Sequence, residues 1–157
     1  MKPIIFGFCC MAAAGMVFLS GCGKQERENP FMKAYDTPYG IPPFEEIQIS
    51  DYEPAFDAGI AEAKASIDSI TANTEAPSFD NTILPLDNLS PTLDRVVSVM
   101  FALAEADASP ELAAVNEKLM PKYTAFTDEM MMNQALFARV KTLYENIDTV
   151  NQPLDER

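Results

Sequence analysis

Apolar residues recur at alternating intervals of three and four along much of the chain, which is the spacing of side chains on one face of an α-helix. One stripe comprises Phe56, Ile60, Ala63, Ile67 and Ile70. Two further stripes comprise Leu93, Val96, Val97, Met100, Leu103 and Ala104, and then Phe137, Val140 and Tyr144. No stretch of the sequence shows the sustained alternation of a strand. The pattern predicts an all-α fold, with the first two stripes packed against each other and the third facing inward.

Polar residues ahead of each stripe predict where the helices begin. Asp51 is expected to cap the first helix, with Pro54 in its first turn, where the missing N–H costs little. The dipeptides Ser90-Pro91 and Ser109-Pro110 each have the pattern of a cap followed by proline at the first helical position. Asn133 is expected to cap a fifth helix.

Prolines divide the remaining segments. Residues 29–49 contain four prolines and are expected to form an extended loop that lies on some other part of the protein. The segment "DNTILPLDNL", residues 80–89, predicts a short helix or turn. The fourth helix is expected to reach about Met132 and to kink at Pro121, because an interior proline costs about 3 kcal/mol.

The first 21 residues differ in character from those that follow. Lys2 precedes an uncharged apolar run, residues 4–19, which is short for a membrane span of roughly 20 residues but typical of a secretory signal. The tetrapeptide Leu-Ser-Gly-Cys that ends at Cys22 resembles the lipobox of bacterial lipoproteins, where the cysteine is lipidated. We therefore expect a signal peptide at 1–21, a lipid anchor at Cys22 and a polar tether at 22–28. The alternative is an ordinary cleaved signal with an incidental cysteine.

The net charge and the length of the chain limit the classes of function that it can have. The chain has 157 residues and a net charge of -13. Nucleic acids are bound through clustered Lys and Arg, and no such cluster occurs in this sequence, so nucleic acid is not an expected partner. About 135 residues remain after the signal, which suits one domain or a piece of a larger one.

The residues that usually carry catalysis are sparse. The sequence has no histidine, and Cys22 is the last of its three cysteines. This removes the Ser-His-Asp arrangement and the usual zinc ligands. Neighbouring residues of a helix point about 100° apart, so Glu45-Glu46 and Asp128-Glu129 predict a solvated face rather than an acid-base pair. Met130 to Met132 are expected to pack in the core with one side chain exposed. The residues thus predict no catalytic, cofactor-binding or metal-binding position.

Six short motifs, taken in order, carry a family resemblance. They are "NPF" at 29, "PPFEEI" at 42, "YEPAFDAGI" at 52, "FDNTI" at 79, "LDRVVSVMFAL" at 93 and "NQALFARVKTLY" at 133. In this order and at these separations they resemble the beginning of the peptidyl-dipeptidase and oligopeptidase A branch of the thimet-oligopeptidase-like zinc metallopeptidases. The resemblance covers roughly residues 29 to 147, nearly all of the exported part.

The resemblance implies a much larger, mostly helical enzyme whose two halves enclose a channel for short peptides. In that family an H-E-x-x-H helix and a further glutamate hold zinc in the later half, and peptidyl-dipeptidases release dipeptides from the C-terminus. None of those zinc or catalytic residues has a counterpart in this sequence. The region matched here is the early helical part, which helps to build the channel wall.

These expectations combine into one interpretation with two alternatives. Residues 29–157 are interpreted as the N-terminal helical region of a lipid-anchored zinc peptidase in the bacterial cell envelope. Its expected partners are short peptides, the membrane and a missing C-terminal catalytic half, and zinc is the expected cofactor of the full-length enzyme only. The alternatives are a free-standing helical lipoprotein that binds a peptide or protein without catalysis, and a decayed gene fragment.

Overall fold

The computed structural model describes residues 27–107 and 109–146, which contain five α-helices. They are α1 (Ile49–Ala72), α2 (Leu84–Asp87), α3 (Pro91–Asp107), α4 (Pro110–Met131) and α5 (Gln134–Glu145). Two 3-10 turns precede α1, at Pro30–Met32 and Pro38–Gly40, and a π-helical turn at Phe79–Ile83 leads into α2. No strand occurs in this part of the chain, and the all-α prediction is confirmed. None of these described helices combines the length and apolar character needed to cross a membrane.

The prediction that Asp51 is the N-cap of α1 was wrong. The helix begins at Ile49, so Gln48 occupies the cap position and Asp51 lies inside the first turn. The Asp51 carboxylate reaches back and accepts the backbone N–H of Gln48 at 2.7 Å. Asp51 therefore satisfies a free donor from the helical side, as the acidic member of a capping box does. Pro54 consequently lies in the second turn rather than the first, and the helix continues through it.

The other three predicted caps are confirmed. Ser90, Ser109 and Asn133 each accept the backbone N–H three residues further on, at 3.0, 3.2 and 3.0 Å. Each side chain satisfies a donor that the first helical turn leaves without a partner. Helix α4 then runs through Pro121 to Met131, so this proline does not end the helix.

The core lies mainly between α1 and α3, which run antiparallel. Gly59 of α1 faces Leu93 near the start of α3, and further along α1 the Ser66 hydroxyl donates to the Leu89 carbonyl at 2.8 Å. The largest side chains excluded from solvent are Phe31, Phe56, Val96, Met100 and Leu119. Burial of such a side chain contributes roughly 1.5–3 kcal/mol. The α3 stripe is shifted from its prediction, since Val99 is buried whereas Val97 is only partly covered.

Helix α4 lies beside α1 in the parallel direction. Three ion pairs join the two helices at a constant offset of 65 residues, with N–O distances of 2.5 to 2.7 Å: Glu53–Lys118, Asp57–Lys122 and Lys64–Glu129. Because the offset is constant, the two helices must run in the same direction and keep the same register along their length. The pairs are exposed, so each contributes at most about 1 kcal/mol, and they fix the register more than the stability.

The segment before α1 lies on the helices, as expected for the proline-rich loop. We call residues 27–32 the strap. Phe31 of the strap is fully buried, and its carbonyl accepts the Arg95 Nε–H of α3 at 2.8 Å. The Asn29 side chain donates to the Asp51 carbonyl at 2.8 Å, and the Arg27 guanidinium pairs with the Asp51 carboxylate. The strap therefore ties the start of the described chain to α1 and α3.

Candidate functional site

The two pairs of adjacent carboxylates named in the sequence analysis are exposed to solvent and belong to different parts of the chain. Glu45 and Glu46 are exposed in the loop before α1, and Asp128 and Glu129 are exposed near the end of α4, where Glu129 pairs with Lys64. Among residues 27–107 and 109–146, no group of three or more potential ligands is placed to hold a metal ion. The predicted signal at 1–21 and the anchor Cys22 lie outside the described residues. The features that remain as candidate sites are therefore surfaces for noncovalent contact.

Helix α5 carries an apolar stripe that is only half covered. At 100° per residue, Leu136, Phe137, Val140, Leu143 and Tyr144 span an arc of about 120°. Leu143 and Leu136 lie at one side of this arc, where Leu143 is half-buried and Leu136 is buried. Phe137 and Tyr144, at the other edge, are 60% and 77% exposed. The prediction that Phe137, Val140 and Tyr144 face inward was wrong for Phe137 and Tyr144, because the core covers the stripe only on the side of Leu136, and Val140 between them is half-buried.

The end of α4 extends this exposed area. Met131 and Met132 are 77% and 75% exposed, and only Met130 packs against the core. The expectation of one exposed methionine was therefore wrong, since α4 ends at this point and its last residues leave the core. We call Met131, Phe137, Val140 and Tyr144 the α5 surface. Three of its residues, Met131, Phe137 and Val140, line a groove of about 340 Å³, and the other residues that line it are Leu86, Leu89, Met130, Asn133 and Leu136.

Arg139 fixes the rotation of α5 and so determines which edge is exposed. Its guanidinium donates to the carbonyls of Asn73 and Glu75 at 2.6 and 3.3 Å. It also donates to the side chains of Asn81 and Thr82 at 3.0 and 3.3 Å. These acceptors belong to the connection between α1 and α2, and Thr82 is fully buried. The sequence analysis gave Arg139 no role of its own, although it lies within the sixth motif, because its acceptors are distant in sequence and none of them is a carboxylate.

A second exposed apolar area lies at the tip of the loop before α1. Tyr39 is completely exposed and has a φ of 62°, while Gly40 beside it has a φ of 66°. A left-handed conformation is uncommon for a residue other than glycine and costs about 1–3 kcal/mol. Ile41 and Phe44 follow, and each is about half exposed. The turn therefore holds an aromatic ring out in solvent above two apolar neighbours.

Comparisons with known proteins show which proteins the chain resembles. The chain is 35% identical over 117 residues to the dipeptidyl carboxypeptidase of Salmonella typhimurium, and 34% identical over 122 residues to that of Escherichia coli. These alignments cover 74% and 78% of the chain. The chain is a relative of the dipeptidyl carboxypeptidases. Oligopeptidase A of Salmonella typhimurium is more distant, at 24% identity over 73% of the chain. No known family profile matches the chain.

The relatives are much longer than this chain. The alignments cover only 17% and 18% of the two dipeptidyl carboxypeptidases and 16% of oligopeptidase A. More than four-fifths of each relative lies outside the shared part. The predicted resemblance to the peptidyl-dipeptidase and oligopeptidase A branch is confirmed, and the chain spans less than a fifth of the length of the relatives it matches.

Proposed function

We propose that this chain is the N-terminal helical region of a zinc peptidase that releases dipeptides from the C-termini of short peptides. The observation that carries the proposal is the identity of 34–35% to two dipeptidyl carboxypeptidases across about three-quarters of the chain. The order of the six motifs in the sequence supports a position at the start of such an enzyme.

The residues of this chain do not fit a zinc site, and the proposal assigns the metal elsewhere. Zinc in peptidases is usually held by histidine nitrogen and carboxylate oxygen. The sequence contains no histidine, and the described residues hold no group of three potential ligands. The zinc and the water that it activates therefore belong to the part of the enzyme that follows, and no step of the reaction is assigned to this chain.

The contribution that we propose for this region is mechanical. Helices α1, α3 and α4 form a packed unit with a defined register, suited to be the wall of a channel that admits short peptides and excludes folded proteins. We further propose that the enzyme is held in the bacterial cell envelope by lipid on Cys22, as the sequence Leu-Ser-Gly-Cys suggests. A diacyl anchor is sufficient for stable attachment, since each buried methylene contributes about 0.8 kcal/mol.

The experiment is to sequence the gene beyond the codon for Arg157, express its complete product and assay it. A blocked tetrapeptide is the substrate, and its C-terminal dipeptide is the measured product. We expect an open frame that contains an H-E-x-x-H segment, and an activity that a chelator removes and added zinc restores. A frame that ends at Arg157, or a longer product without this activity, would contradict the proposal and favour a binding lipoprotein.

A further inference from the structure

We propose that the α5 surface is the seat of an apolar helix from the region that follows residue 157 in the complete enzyme. This inference rests on the proposed function, because it assigns a place to the remainder of that enzyme. It names the face by which the helical region described here attaches to the rest of the protein.

The first argument is the state of the α5 surface. Phe137 and Tyr144 lie seven residues apart on one edge of α5, and Met131 continues the edge across the turn after α4. All three are more than half exposed, although the same helix buries Leu136 beside them. Arg139 holds α5 in this orientation through four hydrogen bonds, so the helix cannot rotate to bury Phe137 without losing them. The exposed edge is therefore available for another apolar element.

The second argument identifies the occupant. Consecutive secondary-structure elements lie next to each other in space about two-thirds of the time. The chain leaves α5 at Asn146, two residues after Tyr144, and the eleven residues from there to Arg157 span at most about 40 Å, so an element that follows residue 157 starts within that distance of the α5 surface. More than four-fifths of the length of the relatives lies outside the matched part, which supplies ample chain to cover this surface.

Charge argues against a second copy of the chain as the occupant. The net charge of -13 makes two copies repel each other, and the α5 surface itself contains no charged side chain that could offset this. A neutral apolar helix fits the surface better. Methionine and aromatic side chains suit such a contact, because the flexible thioether of Met131 adapts to the shape of its partner.

The test uses a photo-crosslinking residue in the complete gene product. We would place p-benzoylphenylalanine at position 137 and, as a matched control, at position 138. Ala138 is exposed on the same helix but points about 100° away from Phe137, outside the stripe. The same probe at position 144 provides a second site on the α5 surface. Dipeptide release by each variant shows that it is folded.

We expect irradiation to join positions 137 and 144 to residues beyond 157 of the same chain, without a change in mass on a denaturing gel. The yield from position 138 should be at least several-fold lower. Equal yields from all three positions, joining of two copies, or no joining from 137 and 144 would overturn the inference. An active product that gives one of these results leaves the proposed function standing. A frame that ends at Arg157 overturns both.

Discussion

Replacement of Gly59 by alanine tests whether the close contact of α1 and α3 controls stability. A Cβ atom at this position would lie 2.7 Å from the Leu93 backbone nitrogen and 2.8 Å from its Cα. These are backbone atoms, so α3 must move to relieve the overlap. Overpacking of this kind costs about 1–3 kcal/mol. Alanine is better than glycine in a helix by about 1 kcal/mol, which acts in the opposite direction.

The steric overlap lowers the free energy of unfolding and the helix propensity of alanine raises it, so the sign of the measured change shows which effect is larger. We expect Gly59→Ala to lower the free energy of unfolding by up to about 2 kcal/mol, measured on the full chain by circular dichroism in urea. Ala61→Gly is the control, because Ala61 is exposed on the same helix and reports the propensity difference alone. It should cost about 1 kcal/mol. A stabilising Gly59→Ala would refute the reasoning, since it would mean that α3 does not press on α1 at Gly59.

Three further outcomes follow from features described above. Arg139→Met should lower the free energy of unfolding in urea by about 1–3 kcal/mol, because its acceptors lose their donor. Lys141→Met, on the exposed side of α5, should change this free energy by less than about 0.5 kcal/mol. Equal effects of the two substitutions would contradict the role of Arg139. Cys22→Ser should abolish incorporation of labelled fatty acid, and a mutant that still incorporates label would exclude lipidation at this residue. The chain without its signal should bind zinc only weakly and cleave no peptide, which a tight, stoichiometric site in calorimetric titration would disprove.

Local chemistry accounts for the parts of the fold that the sequence predicted well. Ser90, Ser109 and Asn133 each satisfy a backbone donor within the next turn, so their role needs no knowledge of the tertiary structure. The prediction of where α1 begins failed for a related reason. Asp51 does satisfy a backbone donor there, but from inside the helix, and an acidic residue near a helix start is compatible with either position.

The exposed surfaces could not be predicted because they depend on distant residues. Periodicity showed that Phe137, Val140 and Tyr144 share one face of α5. That face is too wide to be covered completely by the elements packed against α5, and periodicity does not show which side of it is buried. The edge that is buried is decided by Arg139, whose partners lie 57 to 66 residues away along the chain. The tight contact at Gly59 likewise depends on the position of Leu93 and leaves no local signal. The family resemblance was visible earlier because it rests on the order of motifs rather than on packing.

If Cys22 carries lipid as proposed, the strap limits the distance between the start of α1 and the membrane. Arg27 is held against Asp51, and Arg27 lies only five residues after Cys22. A fully extended chain spans at most about 3.6 Å per residue, so these five steps reach roughly 18 Å. With lipid on Cys22 as proposed, the start of α1 would stay within about two helix diameters of the headgroups. If the proposed activity and lipid anchor are both correct, peptides would be bound at the membrane surface rather than in the open volume of the envelope.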